Sequence, residues 1–198
     1  MQPPAIIAGL GNPGPEYAGT RHNAGFMVIE CLVSRWGGVW EKAPKFQADL
    51  VPSRRSGRRV WLCRPWTYMN LSGAAVGALA RYYQVPIEQV MVVVDDADLP
   101  LGTVRMRGEG GNSGHRGLES VEGALGGRGY GRQRIGIGRA SAGRGEMVGH
   151  VLGRFTPEEQ GWMSRVVQRA ADQLECWLAD GVVMAMNRFN GSELDAKT

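Results

Sequence analysis

An amide and an imidazole stand close together near the start of the chain, in the runs Gly9-Leu10-Gly11-Asn12-Pro13-Gly14 and Thr20-Arg21-His22-Asn23-Ala24-Gly25. A second amide, Asn70, comes shortly after the apolar residues Val60-Trp61-Leu62-Cys63. A carboxylate, Asp95, ends the apolar run Met91-Val92-Val93-Val94. An imidazole takes a proton near neutral pH, and a carboxylate beside it holds the useful tautomer and favours the imidazolium that forms. Amide N–H groups donate to a carbonyl oxygen and stabilise charge on a tetrahedral intermediate, or they fix a water molecule. Converging, these four groups would carry out general-base attack of water on an acyl carbon. No G-x-S-x-G run occurs, and Cys31, Cys63 and Cys176 lie in apolar-periodic segments, so no covalent nucleophile is evident. Direct attack by water suits an ester better than an amide, because an alkoxide leaves more readily.

Each residue also has a plainer reading. A lone histidine at a helix start is commonly structural, and Asn12 could close a turn with Pro13. Asn70 could cap a helix beginning near Ser72. The run Asp95-Asp96-Ala97-Asp98 could bind Mg²⁺ or form a satisfied acidic loop, though it lacks the twelve-residue EF-hand pattern. Tyr17 and Tyr68 could pack, or could stack on a base or sugar. His115 and His150 are far from His22 and from each other in sequence, without metal-ligand spacing, which argues against zinc. Gly9, Gly11 and Gly14 satisfy G-x-G-x-x-G, but Pro13 and Pro15 sit awkwardly inside it and no second strand ending in an acid follows. A dinucleotide site is therefore set aside.

The elements that must position these groups alternate along the chain. Residues 5–8 read as a buried strand breaking into a glycine-rich turn. From Ala24 to Trp36, Phe26, Val28, Ile29, Leu32, Val33 and Trp36 recur at helical spacing. Residues 46–51 and 59–62 read as strands joined by the polar hairpin of residues 53–58. Ser72 is expected to cap a helix running to about Gln84 and stopped by Pro86. Residues 90–94 form a continuous apolar run, as in a strand buried on both faces. Residues 103–107 and 133–137 are further strands, with a helix over about 117–125 between them. Thr156-Pro157-Glu158-Glu159 is a capping-box signature that starts a long helix ending at Gly181, with Trp162, Val166, Ala170, Leu174, Trp177 and Leu178 on one packed face. The expected fold is a single α/β domain over residues 1–198, with a mixed twisted sheet flanked by helices, because one tight hairpin demands an antiparallel pair. If the strands before Asn12, Asn70 and Asp95 are parallel, their carboxyl ends share one rim, the usual ligand crevice of an open α/β sheet.

Composition narrows the classes of function. A hydrophobic share of 43% and a charged share of 21% describe an ordinary globular chain. No apolar stretch approaches the roughly 18–20 residues a bilayer span requires. The start, Met1-Gln2-Pro3-Pro4, shows no secretory signal pattern, and three widely spaced cysteines suit reduced thiols in a cytosol better than a disulfide framework. The net charge of +4 is unevenly spread. Residues 101–144 hold eight arginines against Glu109, Glu119 and Glu122, and 14 of the 30 glycines. Such a band brings charge and backbone N–H groups to phosphates. Its plainer reading is a solvated face in a chain with 20 arginines and 3 lysines.

Six ordered segments then resemble the bacterial peptidyl-tRNA hydrolase family: GLGNPGPEYAGTRHNAGF, RPWTYMNLSG, VVVDDADLPLG, GHRGL, RIGIG and VLGRF, spread over residues 9–155. The resemblance implies cleavage of the ester joining a peptide to the 3′ ribose of tRNA, recycling tRNA from prematurely released chains. It implies a compact α/β fold without metal or cofactor, working in the cytoplasm as a monomer. It assigns His22 as the base, Asp95 as its carboxylate partner, and Asn12 to telling N-blocked peptidyl-tRNA from free aminoacyl-tRNA. Tyr17, Tyr68 and Asn70 would line the site for the 3′ adenosine and peptide, and Arg105 and Arg107 would meet tRNA phosphates.

Two positions depart from the family pattern. Arg116 stands where the family commonly has an amide after the histidine of the glycine-rich loop, and Val94 stands where it often has a histidine. The guanidinium of Arg116 retains the ability to donate to phosphate or ribose. Two rival readings are a non-catalytic RNA-binding relative of the same fold and a general esterase that cleaves small esters as fast as tRNA-linked ones.

Overall fold

The first apolar run becomes strand β1 (Ala5–Gly9), buried along its whole length. In the computed structural model, which describes residues 2–139 and 144–193, β1 lies parallel between β4 (Arg58–Pro65) and β5 (Val90–Asp96). Residues 1, 140–143 and 194–198 of the expected 1–198 domain lie outside the described residues. The remaining strands are β2 (Glu41–Ala43), β3 (Ala48–Arg55), β6 (Thr103–Arg107), β7 (Gly131–Gly136) and β8 (Gly191–Ser192). Among the described residues they form one eight-stranded mixed sheet in the order β2-β3-β4-β1-β5-β7-β6-β8. β4, β1, β5 and β7 run parallel, while β3 and β6 are antiparallel to their neighbours.

Both faces of the central strands are covered, which is why those strands read as unbroken apolar runs. Ala5, Ile7, Met91 and Val93 face helices α1 (Ala24–Trp36) and α5 (Pro157–Asp180), through Val28, Ile29, Leu32, Val166 and Leu174. Ile6, Ala8, Val92 and Val94 face α2 (Ser72–Tyr83) and α3 (Arg116–Leu125), through Val76, Leu79, Leu118 and Val121. Side chains alternate across a strand, so one run of residues feeds two cores.

The structure departs from the sequence reading in several places. Phe46 belongs to a 3-10 turn (Pro44–Phe46), and β3 begins only at Ala48, because Gln47 is left-handed at φ 50°. The polar hairpin is almost entirely strand: Arg54 pairs with Arg59 and Arg55 with Arg58 around a two-residue turn in which Ser56 and Gly57 both have positive φ. Arginine tolerates these positions because Arg55 lies over Trp36 and Arg58 over Trp177, with Arg58 also donating to Gln89 and to the Leu178 carbonyl. Ser72 is not a cap; it is the first residue of α2, and Ser120 Oγ from α3 accepts from Gly73 N instead. β2, β8, α4 (Arg144–Leu152) and α6 (Val182–Phe189) go beyond the expected elements.

The capping box of α5 forms as the sequence predicts, with Thr156 and Glu159 exchanging bonds. Glu159 also accepts from Arg21 at 2.8 Å, and Arg21 N donates to the Gly153 carbonyl. The start of α5 therefore clasps the 3-10 turn Arg21–Asn23 that carries His22. The other end of that placement is steric. A Cβ on Gly25 would lie 2.3 Å from the Val93 carbonyl oxygen and 2.5 Å from that of Leu10. Only glycine lets the first turn of α1 settle onto the ends of β1 and β5. Gly25→Ala should therefore lower the unfolding free energy by about 1–3 kcal/mol or more, as in overpacked interiors, read from the urea midpoint. A wild-type midpoint would mean α1 can retreat from the strands without cost.

Candidate active site

Asp95 is the last residue of the fully buried stretch of β5 and is itself only 2% exposed. Its Oδ1 lies 2.8 Å from His22 Nδ1 and 3.1 Å from His115 Nε2. Burial by itself would push the Asp95 carboxyl up, but the hydrogen bonds and charge of His115 and His22 outweigh it and hold the group below the usual carboxylate range. An ionised carboxylate only accepts, so His22 donates through Nδ1. That leaves its Nε2 with a lone pair and no protein partner among the described residues, on a ring that lines a cleft of about 500 Å³.

The two amides reach the same cleft from separate strands. Asn12 follows β1; its backbone N–H donates to Asn23 Oδ1 at 2.8 Å, and its carbonyl accepts from Asn23 Nδ2 at 3.1 Å. Its side-chain Oδ1 accepts from Met69 N at 2.9 Å. With that oxygen committed, the Asn12 NH₂ is the end left to donate. Asn70 follows β4, in the 3-10 turn Met69–Leu71, and is exposed on the cleft wall.

Six of the residues singled out from the sequence line one cleft: Asn12, His22, Tyr68, Asn70, Asp95 and Arg116. Tyr17 is not on the wall; its ring stands edge-on to Tyr68 with centroids 6.2 Å apart, at the margin. Arg105 and Arg107 do not line the cleft either; they occupy the exposed positions of β6. They pair across the sheet with Arg134 and Arg132. Arg134 is on the wall, 2.9 Å from Asp96 Oδ2 and donating also to the Gly111 carbonyl.

Sequence reasoning passed over His115, Arg134 and the apolar wall that α4 supplies through Met147, Val148, Val151 and Leu152. A helical signal for α4 was present, since those four residues recur at helical spacing, but Gly145 and Gly149 weaken it. Position along the chain hid His115. It is 93 residues from His22 in sequence, yet the two rings are 5.5 Å apart.

Among the described residues, His22, Asp95 and His115 are the one trio of metal-ligating side chains close enough to share an ion. The facing nitrogens of both imidazoles are already committed to the Asp95 oxygen, so chelation would require giving up both hydrogen bonds. The trio fits hydrogen bonding better than metal binding.

A buried carboxylate, a histidine and two amides meet at the carboxyl rim of an open α/β sheet, where enzymes of this fold class bind their ligands. Residues 6–197 match the family described as peptidyl-tRNA hydrolase, and the chain belongs to that family. It is 47% identical over 185 residues to a peptidyl-tRNA hydrolase of Synechococcus sp. strain JA-3-3Ab, covering 93% of this chain and 82% of that protein. It is 45% identical over 186 residues to that of Caldanaerobacter subterraneus, covering 94% and 99%. The crystal structure of peptidyl-tRNA hydrolase from Acinetobacter baumannii superposes with a TM-score of 0.90 at 36% identity, covering 95% of each chain.

The loop that presents Asn12 depends on the Asn23 side chain for both backbone bonds. Asn23→Ala should cost about 1–3 kcal/mol, because it strands a buried N–H and C=O. Equilibrium urea unfolding reads this, and an unchanged midpoint would mean that another group holds the loop.

Proposed function

We propose that this chain hydrolyses the ester between the peptide and the 3′ ribose of peptidyl-tRNA, with His22 as general base and no covalent intermediate. The observation that carries the reading is the 2.8 Å contact of His22 Nδ1 with the buried Asp95, which leaves Nε2 free on a ring lining the cleft that Asn12 and Asn70 also line. Water enters between Nε2 and the ester carbonyl. Its oxygen bonds to the carbonyl carbon as Nε2 takes one proton, and Asp95 supports the imidazolium. Asn12 and Asn70 donate to the developing oxyanion or hold the water. The tetrahedral intermediate then expels the 3′ oxygen, which takes the proton back from His22. The products are a free 3′ hydroxyl on tRNA and a peptide carboxylic acid, which gives its proton to solvent and leaves as the carboxylate.

Around this centre, Tyr68 with Tyr17 at its edge offers aromatic surface for the terminal adenosine. Arg116, exposed at the cleft with no protein partner among the described residues, donates to phosphate or ribose. Arg105 and Arg107, exposed on β6, meet phosphates farther along the acceptor end. No cofactor or metal enters the scheme. The proposed working unit is a monomer. No helix among the described residues is long and apolar enough to cross a membrane, and a tRNA substrate suits the cytoplasm.

Incubating the purified chain with N-acetylaminoacyl-tRNA should release N-acetylamino acid, whereas an RNA-binding protein would shift the RNA and release nothing. His22→Ala should lower kcat by about 10²–10⁴-fold, the usual worth of a positioned base. Turnover near wild type would remove His22 from the mechanism.

A further inference from the structure

His115 makes two kinds of hydrogen bond at once. It is the N-cap of α3, and its Nδ1 accepts from Gly117 N at 3.1 Å and from Leu118 N at 3.3 Å. On the other side of the ring, Nε2 meets Asp95 Oδ1 at 3.1 Å. Backbone amides only donate, so Nδ1 must carry the lone pair and Nε2 the proton. The carboxylate only accepts, which demands the same tautomer independently. Turning the ring over would set carbons against the amides and the oxygen. The helix terminus and the acid therefore fix the imidazole from both sides.

The surroundings favour this seat. A Cβ on Gly117 would fall 3.0 Å from His115 Cε1 and 2.5 Å from Met69 Sδ, so glycine is what lets the ring lie over the first turn of α3. The usual capping residues, Ser, Thr, Asp and Asn, would satisfy the amides. None has the reach of an imidazole, which accepts on one edge and donates on the opposite one.

We propose that His115 is a positioning residue for the hydrolysis assigned to His22, a role that rests on that functional reading. Held in its Nε2–H tautomer by the amides of α3, it fixes the Asp95 carboxylate so that Oδ1 faces His22 Nδ1. Helix α3 is thereby coupled through His115 to the orientation of the catalytic base. Removing the bond to Asp95 loosens the carboxylate and lowers turnover, while substrate binding is unaffected.

Two substitutions separate the capping bond from the bond to Asp95. In His115→Asn the side-chain oxygen still caps α3, but its amide nitrogen falls short of Asp95. In His115→Gln the longer amide reaches Asp95 and the cap is lost. With N-acetylaminoacyl-tRNA, the Asn variant should keep its Tm and KM and lose about tenfold in kcat, the scale of one hydrogen bond. The Gln variant should melt about 2–4 °C lower and recover most of the lost kcat. Long-range ¹H–¹⁵N NMR of the wild-type protein should show His115 as the Nε2–H tautomer. An Nδ1–H tautomer, an Asn variant with wild-type kcat, or kcat that follows Tm in both variants would overturn the proposal. A wild type without turnover would overturn the functional reading itself, whereas an unaffected Asn variant beside an inactive His22→Ala would overturn only the role of His115.

Discussion

A carboxylate at the buried end of a strand is costly unless something answers its charge. At Asp95 two imidazole N–H groups reach a single oxygen, one from the turn before α1 and one from the turn before α3. These bonds outweigh the desolvation that by itself would push the acid's pKa up. Because the acid stays ionised, it can only accept, and that sets the proton on His22 Nδ1 and leaves Nε2 for water. The rest of the fold brings these three groups to one place. The parallel arrangement of β4, β1 and β5 aligns the strand ends, Gly25 lets α1 press onto them, and the Arg21–Glu159 pair ties the His22 turn to the start of α5.

The amides are oriented by the same kind of exclusion. Asn12 has its side-chain oxygen taken by Met69 N, on the turn that carries Asn70. Two loops from different strands are thus tied by one bond, and the donor end of Asn12 is what remains for a ligand. The hydrogen bonds at this rim leave one lone pair on His22 and the NH₂ of Asn12 facing a cleft that the Asn70 amide and the Arg116 guanidinium also line. The chain belongs to the peptidyl-tRNA hydrolase family, and an acyl–ribose ester is the proposed ligand of those groups.

Much of this was legible in the sequence, because Asn12 and His22 lie in a glycine-rich stretch, Asp95 ends an apolar run and Asn70 comes soon after one. The run Met91-Val92-Val93-Val94 reads as a strand buried on both sides, so Asp95 had to lie at its carboxyl end. The capping box at Thr156 reads directly, because its signature is local. What depends on distant chain segments was not legible. Ser72 looks like a cap by type, yet the cap comes from Ser120, 48 residues later. Arg54, Arg55 and Arg58 look like a loop by composition, yet they pair as strand, with Arg55 held over Trp36 and Arg58 over Trp177, contacts made to distant segments. His115 has no sequence signal beyond its place in GHRGL, since what sets its role is the bond to Asp95 on a strand 20 residues earlier, beside the two it makes to a helix end.

The dependence of hydrolysis on the Asp95 carboxylate is tested most directly by Asp95→Asn, an exchange of nearly equal shape that cannot accept from both imidazoles through an ionised oxygen. Turnover of N-acetylaminoacyl-tRNA by this variant should fall by about 10²–10⁴-fold while the protein still binds the RNA. Wild-type kcat in a folded Asp95→Asn protein would contradict the assignment of the acid as the group that orients His22.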